Sequence, residues 1–534
     1  MKKFETDLLV TGSGLAGLIA AIRCKEKFPA LKVLLCTKSP PGLANCTTVS
    51  QGIFRNTSVN YPPETYVKES LNSGYNLNDR ELLKTMIDNS ETDIDLLEDY
   101  GLSLQKRSIW RYIPSHKLEG NGTLISKALL EHAHYLGIEF MHPFFAWELI
   151  VNDDRAAGIW GFFENDPEPV VIYANSIVLA TGGAGALYHR TDNPPGTTGD
   201  GYGLAYRAGL PLIDLEFVQF YPIATAYPDK KPRFLPAVLA DAGYFINANG
   251  EDIVKKYNIN KLPLASASRD ELSRSMALEV INNRGVNGAV KLKFDFGDEK
   301  WEKAKDIFGL SDIEPVKSWT KNIMENQEYI PVMPVSHFFC GGIVADQYCQ
   351  TDIPGLYAAG ELVGGLHGAD RLGGNALTEA LVFGRISGEQ AAIFANGITL
   401  NQKNNSDRPA LEKQVKKSAN QLFSNKTSKK TQNNYRDIRK QLSKIMMEKV
   451  GLIRNEKSLQ EAKELVLTWQ DSIVWDNKNE LRAFLELKNL NLVAELIIDS
   501  AQVRKESRGT HYRSDSPGLS GRWEKNIILS RYLK

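Results

Sequence analysis

Asp7-Leu8-Leu9-Val10-Thr11-Gly12-Ser13-Gly14-Leu15-Ala16-Gly17 is the stretch that decides the fold. Asp7 to Val10 has the composition of a short buried strand, Thr11 to Gly17 is a turn, and Leu18 to Lys27 continues as helix. Lys32-Val33-Leu34-Leu35-Cys36 reads as a second strand, so the chain opens strand, helix, strand. Gly12, Gly14 and Gly17 have the spacing G-x-G-x-x-G directly after the first strand. There the first glycine makes the tight turn, and the second lets backbone N–H groups approach a pyrophosphate. The third packs helix on strand, and the helix dipole favours the anion. The same glycines can also serve a close-packed turn in any α/β protein. The carboxylate that normally follows about 20 positions on, against a ribose, is missing, since Cys36-Thr37-Lys38 stands there. That counts against a simple NAD site.

Two further glycine turns lie downstream. Ile177-Val178-Leu179-Ala180-Thr181-Gly182-Gly183 is an apolar strand running into small residues. Gly355-Leu356-Tyr357-Ala358-Ala359-Gly360-Glu361 is another, and Gly373-Gly374-Asn375-Ala376-Leu377 then opens a helix. Three such turns converging on one long cofactor suit FAD better than a mononucleotide.

Bulk properties exclude several classes. The 534 residues allow roughly three or four domains. Lys+Arg and Asp+Glu both number 64, giving zero formal net charge, so nothing favours a nucleic-acid surface. The longest apolar run, Leu8 to Ile22, is too short to span a bilayer and carries three glycines. It lacks a basic leader and does not read as a signal peptide. Cys24, Cys36, Cys46, Cys340 and Cys349 show no C-x-x-C spacing, so no metal or iron–sulfur site is expected in this chain. A reducing, cytoplasmic setting fits, with attachment to a membrane surface only through a partner.

Along the chain, residues 80–140 read as mainly helical with a loop from Ile113 to Gly122. Asn401 to Asp407 is a polar linker, Pro409 to Val503 is charged, Leu-rich and helical by period, and Ser424 to Asn434 is a polar connection within it.

In this order the chain resembles the flavoproteins of succinate dehydrogenase, fumarate reductase and L-aspartate oxidase. The resemblance rests on Gly12 to Gly17, Thr47 to Gly52, Thr198-Gly199-Asp200-Gly201, Glu216 to Phe220, and Ser268-Arg269-Asp270 with Ser273-Arg274. It continues through His337 to Gly342, His367 to Asn375, and Glu506 to Arg513. It implies an α/β fold: a Rossmann-like FAD-binding domain (1–232 and 335–400), an inserted α+β capping domain (233–334), a C-terminal helical domain (408–503) and a final segment (504–534). The expected FAD contacts are Gly12, Gly14, Ala16, Gly17, Thr37, Lys38, Ser50, Gln51, Gly52, Ala180, Thr181, Gly182, Asp200, Gly360, Glu361, Arg371, Asn375, Ala376 and Leu377.

The resemblance also assigns Arg269 as proton donor or acceptor, and His337 and Arg371 as ligands of a substrate carboxylate. Two cations on a carboxylate would draw charge from an adjacent double bond and stabilise a carbanion-like transition state. Residue chemistry alone leaves other fates open. Arg269 can pair with Asp270, His337 can be a hydrogen-bonded core histidine, and Arg371 or His367 can brace a loop.

The departures from the family bear on substrate. The histidine that many members link covalently to FAD is replaced by Cys46, which implies non-covalent FAD. Gln219-Phe220-Tyr221-Pro222 replaces Q-F-H-P, and a phenol at 221 can still donate a hydrogen bond but cannot carry positive charge near neutrality. The family's Thr-Glu pair has no match at Leu235-Pro236-Ala237-Val238, which leaves Asp241 or Glu216 to relay the proton. The segment that could hold a substrate ammonium is short, with Glu119 available. The leading reading is a fumarate reductase or succinate dehydrogenase type flavoprotein acting on a small carboxylate, supplied by an iron–sulfur or ferredoxin-like partner. L-Aspartate oxidase is the alternative. The third reading is a non-catalytic electron-transfer protein carrying FAD.

Overall fold

The computed structural model describes residues 1–114, 121–310, 312–398, 408–424, 435–473 and 480–531. The Asn401–Asp407 linker, nearly all of the Ser424–Asn434 connection, and Glu119 lie outside these residues.

The opening strand runs from Lys2 to Thr11, longer than its apolar core implies, because it pairs in parallel along its length with Val170–Leu179. On its other side come Val33–Cys36 and then Glu139–Met141, also parallel. The long strand Val170–Leu179 divides its second edge. Its first half pairs antiparallel with Arg155–Phe163, which continues to Phe144–Asn152, and its end pairs in parallel with Leu356–Ala358. All ten residues of Val170–Leu179 are buried, as expected for a central strand covered on both faces.

Helices Leu15–Lys27 and Asn375–Asn396 pack against this sheet and each other. A Cβ at Gly384 would meet the Ala16 carbonyl oxygen at 2.7 Å, and one at Gly388 the Ala20 oxygen at 2.2 Å. The two helices therefore touch backbone to backbone, which only glycine permits. Between 80 and 140 the chain is less helical than its sequence suggests. Helices Arg80–Asp99 and Gly122–Tyr135 flank Gln105–Arg107 and Trp110–Tyr112, which form a small sheet with Ile53–Arg55.

The insert has its own antiparallel sheet, ordered Val218–Thr225, Ile330–Phe339, Val290–Lys293 and Tyr244–Ile246, and its own apolar core around Trp301, Leu272 and Met276. Strands Val218–Thr225 and Ile330–Phe339 are its connections to the FAD-binding domain, so residues before 233 and after 334 belong to the same sheet. Helices Arg408–Ser424, Tyr435–Lys449, Glu456–Ser472 and Leu481–Val503 form the C-terminal region. Among the described residues no helix is long and apolar enough to cross a membrane.

The final segment is fixed by buried charge. Arg504 donates to Glu216 at 2.5 Å and lies 3.3 Å from Glu506, which also accepts from Arg508 at 2.6 Å. Thr510 donates from both its backbone N and its hydroxyl to the Ala369 carbonyl, at 3.0 and 3.1 Å. The C-terminus thereby holds the 367–374 loop.

Candidate active site

A cavity of about 930 Å³ lies between the first glycine turn, the Leu356–Ala358 strand end and the insert. That is near the upper end for a small-molecule site. Two helices open onto it with no side-chain cap: Leu15–Lys27 at Gly14, and Asn375–Asn396 at Gly374, whose φ of 89° suits glycine. Uncapped N–H groups and the positive ends of two helix dipoles fit a pyrophosphate and an electron-rich ring.

Of the expected FAD contacts, Gly12, Gly14, Ala16, Thr37, Lys38, Ser50, Gln51, Ala180, Thr181, Gly182, Asp200, Gly360, Glu361, Arg371, Ala376 and Leu377 line this cavity. Three do not. Gly17 backs the turn, where a Cβ would meet the Gly12 oxygen at 2.0 Å. Gly52 packs on Asn121 and Ile113, and Asn375 accepts a hydrogen bond from the Tyr66 hydroxyl at 2.9 Å. Lys38 is locked between Asp200 at 2.6 Å and Glu486 at 3.1 Å, so the C-terminal region supplies a carboxylate beside the second strand's end. Three cations around Glu486 pull its carboxyl down to about 2. Burial pushes the Glu361 carboxyl up to about 7, while its Oε1 accepts from the Phe339 N–H at 3.1 Å.

Arg269, His337 and Arg371 all reach the same cavity. Arg269 is the first residue of helix Arg269–Ile281, and its Nε donates to the Ala265 carbonyl at 3.0 Å. Arg371 projects from the loop that Thr510 holds. His337 sits at a β-bulge: Gln219 pairs with Phe338 but Phe220 pairs with Ser336, leaving His337 as the extra residue. Bulges commonly re-aim a side chain in this way.

Gln219 joins the two arginines. Its Oε1 accepts from Arg269 Nη1 and, at 2.8 Å, from Arg371 Nη2, while its Nε2 donates to Asp370 and to the Arg371 carbonyl. Among the described residues neither guanidinium has a carboxylate oxygen within 4.0 Å. Arg371 Nε is buried and has no partner. Burial, then repulsion from Arg269, pulls the Arg371 guanidinium down to about 10. Two buried positive charges therefore face the cavity on one neutral acceptor. Asp270, a candidate partner for Arg269, instead accepts from the Tyr75 hydroxyl at 2.9 Å.

His337 Nδ1 lies 2.7 Å from Asp192 Oδ2. Desolvation nevertheless lowers the imidazole's pKa below its ordinary value, and both arginines add to this, so the ring is neutral near pH 7 before an anion arrives. His367 is not in the cavity. It pairs with Glu379 at 3.0 Å and rests edge-on against Phe338.

The remaining expectations are corrected. The Tyr221 hydroxyl is not available to donate to a substrate, because it donates to the Leu235 carbonyl at 2.8 Å. Its ring stacks on Phe234, with centroids 4.1 Å apart. Glu216 is tied to Arg504 and Ser500, and Asp241 accepts from the Leu264 N–H at 3.1 Å; neither lines the cavity. Asp192, Gln219, Phe234 and Asp370 are the functional positions that sequence reasoning passed over.

A profile described as FAD binding domain matches residues 7–377, and one described as fumarate reductase flavoprotein C-term matches 439–529. The chain belongs to the succinate dehydrogenase, fumarate reductase and L-aspartate oxidase family of FAD-dependent oxidoreductases. A relative from Methanothermobacter marburgensis, named for its fumarate reductase (CoM/CoB), is 30% identical, over 99% of this chain and 98% of its own. An L-aspartate oxidase of Pseudomonas aeruginosa is 29% identical, with 98% of each chain covered. Among solved structures, a variant of the Escherichia coli quinol fumarate reductase superposes with a TM-score of 0.83 at 27% identity, covering 99% of this chain and 96% of that one. The chain is thus an FAD enzyme of the fumarate reductase and succinate dehydrogenase type.

Proposed function

We propose that this flavoprotein reduces a carbon–carbon double bond conjugated to a carboxylate, with Arg371 and His337 holding the carboxylate and Arg269 delivering the proton. The observation that carries the reading is the pair of guanidinium groups on Gln219, buried, cavity-facing and without a carboxylate partner. Such a pair is costly until an anion binds.

Reduced FAD, when bound, supplies the hydride and its two electrons at the carbon β to the carboxylate. The π bond breaks, and Arg269 donates the proton that completes the α-carbon. Arg371 and a protonated His337 draw electron density toward the carboxylate as charge develops there. Asp192 orients the imidazole through Nδ1. Asp370 is the group suited to restoring the proton of Arg269. Burial and neighbouring Asp270 push its carboxyl up to about 7, and it reaches the arginine through Gln219.

FAD is held without a covalent bond. Cys46 lines the cavity, but burial, Glu361 and Asp192 push its thiol well above the ordinary range, and its Sγ lies 3.4 Å from Asn193 Oδ1. A protonated thiol is a poor nucleophile. Electrons reach the flavin from an iron–sulfur or ferredoxin-like partner. This is supported by the scatter of the five cysteines and by the lack, among the described residues, of any group of three or more His, Cys, Asp or Glu placed to hold a metal. Amino-acid oxidation, the activity named for the L-aspartate oxidases, is less well served. It needs an acceptor for the substrate ammonium, and the cavity carboxylates Asp192 and Asp200 are engaged by His337 and Lys38.

The deciding experiment is anaerobic reoxidation of the dithionite-reduced, FAD-loaded protein by a panel of enoic acids. Rapid reoxidation by at least one enoate, and none by ketones or nitro compounds lacking a carboxylate, is expected. No response to any enoate, with bleaching of the oxidised flavin by L-aspartate, would replace this reading with the amino-acid one.

A further inference from the structure

The cavity carries cations for one carboxylate, and its remaining wall is apolar. Arg269 and Arg371 converge on one oxygen of Gln219, so a single anion satisfies both. The other cations along the lining are committed or peripheral. Lys38 is paired with Asp200 and Glu486, Arg107 lies over the Tyr112 ring, and Arg233 is at the mouth. From the insert side the cavity is closed by Tyr221, Phe234, Ala237, Ala265, Phe308 and Leu310.

Within that wall the aromatic groups are ordered. Tyr221 and Phe234 stack with planes 18° apart, and His337 lies 5.4 and 6.1 Å from their centroids. The phenol donates to Leu235, so the pair presents ring surface and no free donor. A second carboxylate placed there would lose its hydration with no cation and no hydrogen bond in exchange. A flat apolar group placed there would bury its surface against rings that already favour offset stacking.

We infer that the substrate is a monocarboxylate, an α,β-unsaturated acid bearing a flat apolar substituent at the β-carbon, and that Tyr221 and Phe234 form the slot for that substituent. This rests on the enoate-reduction reading for its chemistry, while the slot is testable by binding alone. In the oxidised, FAD-loaded full chain, flavin absorbance would be titrated with 3-phenylpropanoate and with succinate. The phenyl acid is expected to bind at least tenfold more tightly. In the reduced protein, 3-phenylprop-2-enoate should reoxidise the flavin with at least tenfold higher kcat/KM than fumarate. Tyr221→His restores a group that can carry positive charge, and should move both ratios at least tenfold toward the dicarboxylate. Phe234→Ala should weaken the phenyl acid and leave succinate unchanged.

Equal or tighter binding of succinate by the wild-type protein overturns the inference, whatever the turnover. So does a preference for fumarate in reoxidation, an outcome that leaves enoate reduction standing. Failure of every enoate to reoxidise the flavin overturns the enoate-reduction reading, and the two saturated acids still decide the slot.

Discussion

Replacing Arg371 by Met separates substrate binding from folding, because the structure gives the two effects opposite tendencies. In the substrate-free protein the guanidinium is buried beside Arg269, and its pKa falls from 12.5 to about 10. At about 1.4 kcal/mol per pH unit, that fall corresponds to about 3 kcal/mol against the charged form. The folded pKa of this base lies below its unfolded value. The penalty is therefore fully present below about pH 10 and is relieved only as pH rises toward 12.5. At pH 7.5 the wild-type protein carries it, and Met removes it. Met also loses hydrogen bonds to Gln219 and Leu372 and the stacking on Phe338 at 4.5 Å. Each hydrogen bond contributes about 1 kcal/mol, and Gln219 keeps Arg269. The stability terms thus nearly cancel. The bound state differs, since losing a buried charged partner of an anion costs about 2–5 kcal/mol, or about 30-fold to several thousand-fold in kcat/KM. Stopped-flow reoxidation of the reduced flavin by the best enoate measures the second effect, and thermal melting of the substrate-free, FAD-loaded protein measures the first. A kcat/KM within threefold of wild type would remove Arg371 from substrate binding. A large drop in melting temperature with loss of flavin would make it a structural or cofactor residue.

Arg269→Gln should lower enoate reduction by about 10³-fold or more while sparing FAD binding and dithionite reduction; near wild-type turnover would remove Arg269 as proton donor. Acid precipitation should leave the yellow flavin in the supernatant, and flavin retained on the chain, then lost in Cys46→Ser, would show a cysteinyl link. The pKa of His337 is depressed in the free protein and should rise when an anion binds, so binding takes up a proton and dissociation constants should increase as pH rises from about 6 to 8. A pH-independent Kd, or the same pH dependence in His337→Gln, would contradict this. The Asp370 carboxyl is raised from 3.8 to about 7, so the native state holds a proton that the unfolded chain has released. Its stability contribution should therefore be lost as pH rises from about 4 through 7, and the corresponding slope should be shallower in Asp370→Asn.

What could be read from the sequence depended on how local the cause was. The strand–turn–helix opening is specified by residues a few positions apart, and its glycines are where the structure needs them. The length of the first strand was not legible. Pairing of Lys2 with Val170 to Thr11 with Leu179 extends it past its apolar core, and that partner lies far along the chain. The active-site partners fail for the same reason. Asp192 meets His337 across 145 positions, Gln219 meets Arg371 across 152, and Glu486 reaches Lys38 from the last long helix. Gln219 left one usable trace, as an amide between two phenylalanines in a stretch that must be a buried strand. Tyr221 was legible as a lost positive charge, but its hydrogen bond to Leu235 was not, because a phenol's partner is set by the turn opposite it.

The site also divides its work between two parts of the chain, with a consequence for how substrate preference can change. Arg371 is fixed by contacts that do not involve the aromatic wall: Thr510 on the preceding Ala369, and Gln219 on its guanidinium. The wall comes from the insert, where Tyr221 and Phe234 bracket a strand–loop connection beginning at Val218–Thr225. A change at 221 or 234 alters what lies beyond the carboxylate without loosening the loop that carries Arg371. The coupling between the halves is Gln219, two residues before Tyr221 on the same strand and bonded to both arginines. If the division holds, Gln219→Ala should impair every carboxylate substrate alike, since both guanidinium groups lose their shared acceptor. Substitutions at 221 and 234 should instead change the ratio between substrates. A Gln219 variant that altered only that ratio would show that anion binding and substituent selection are one function of the strand rather than two.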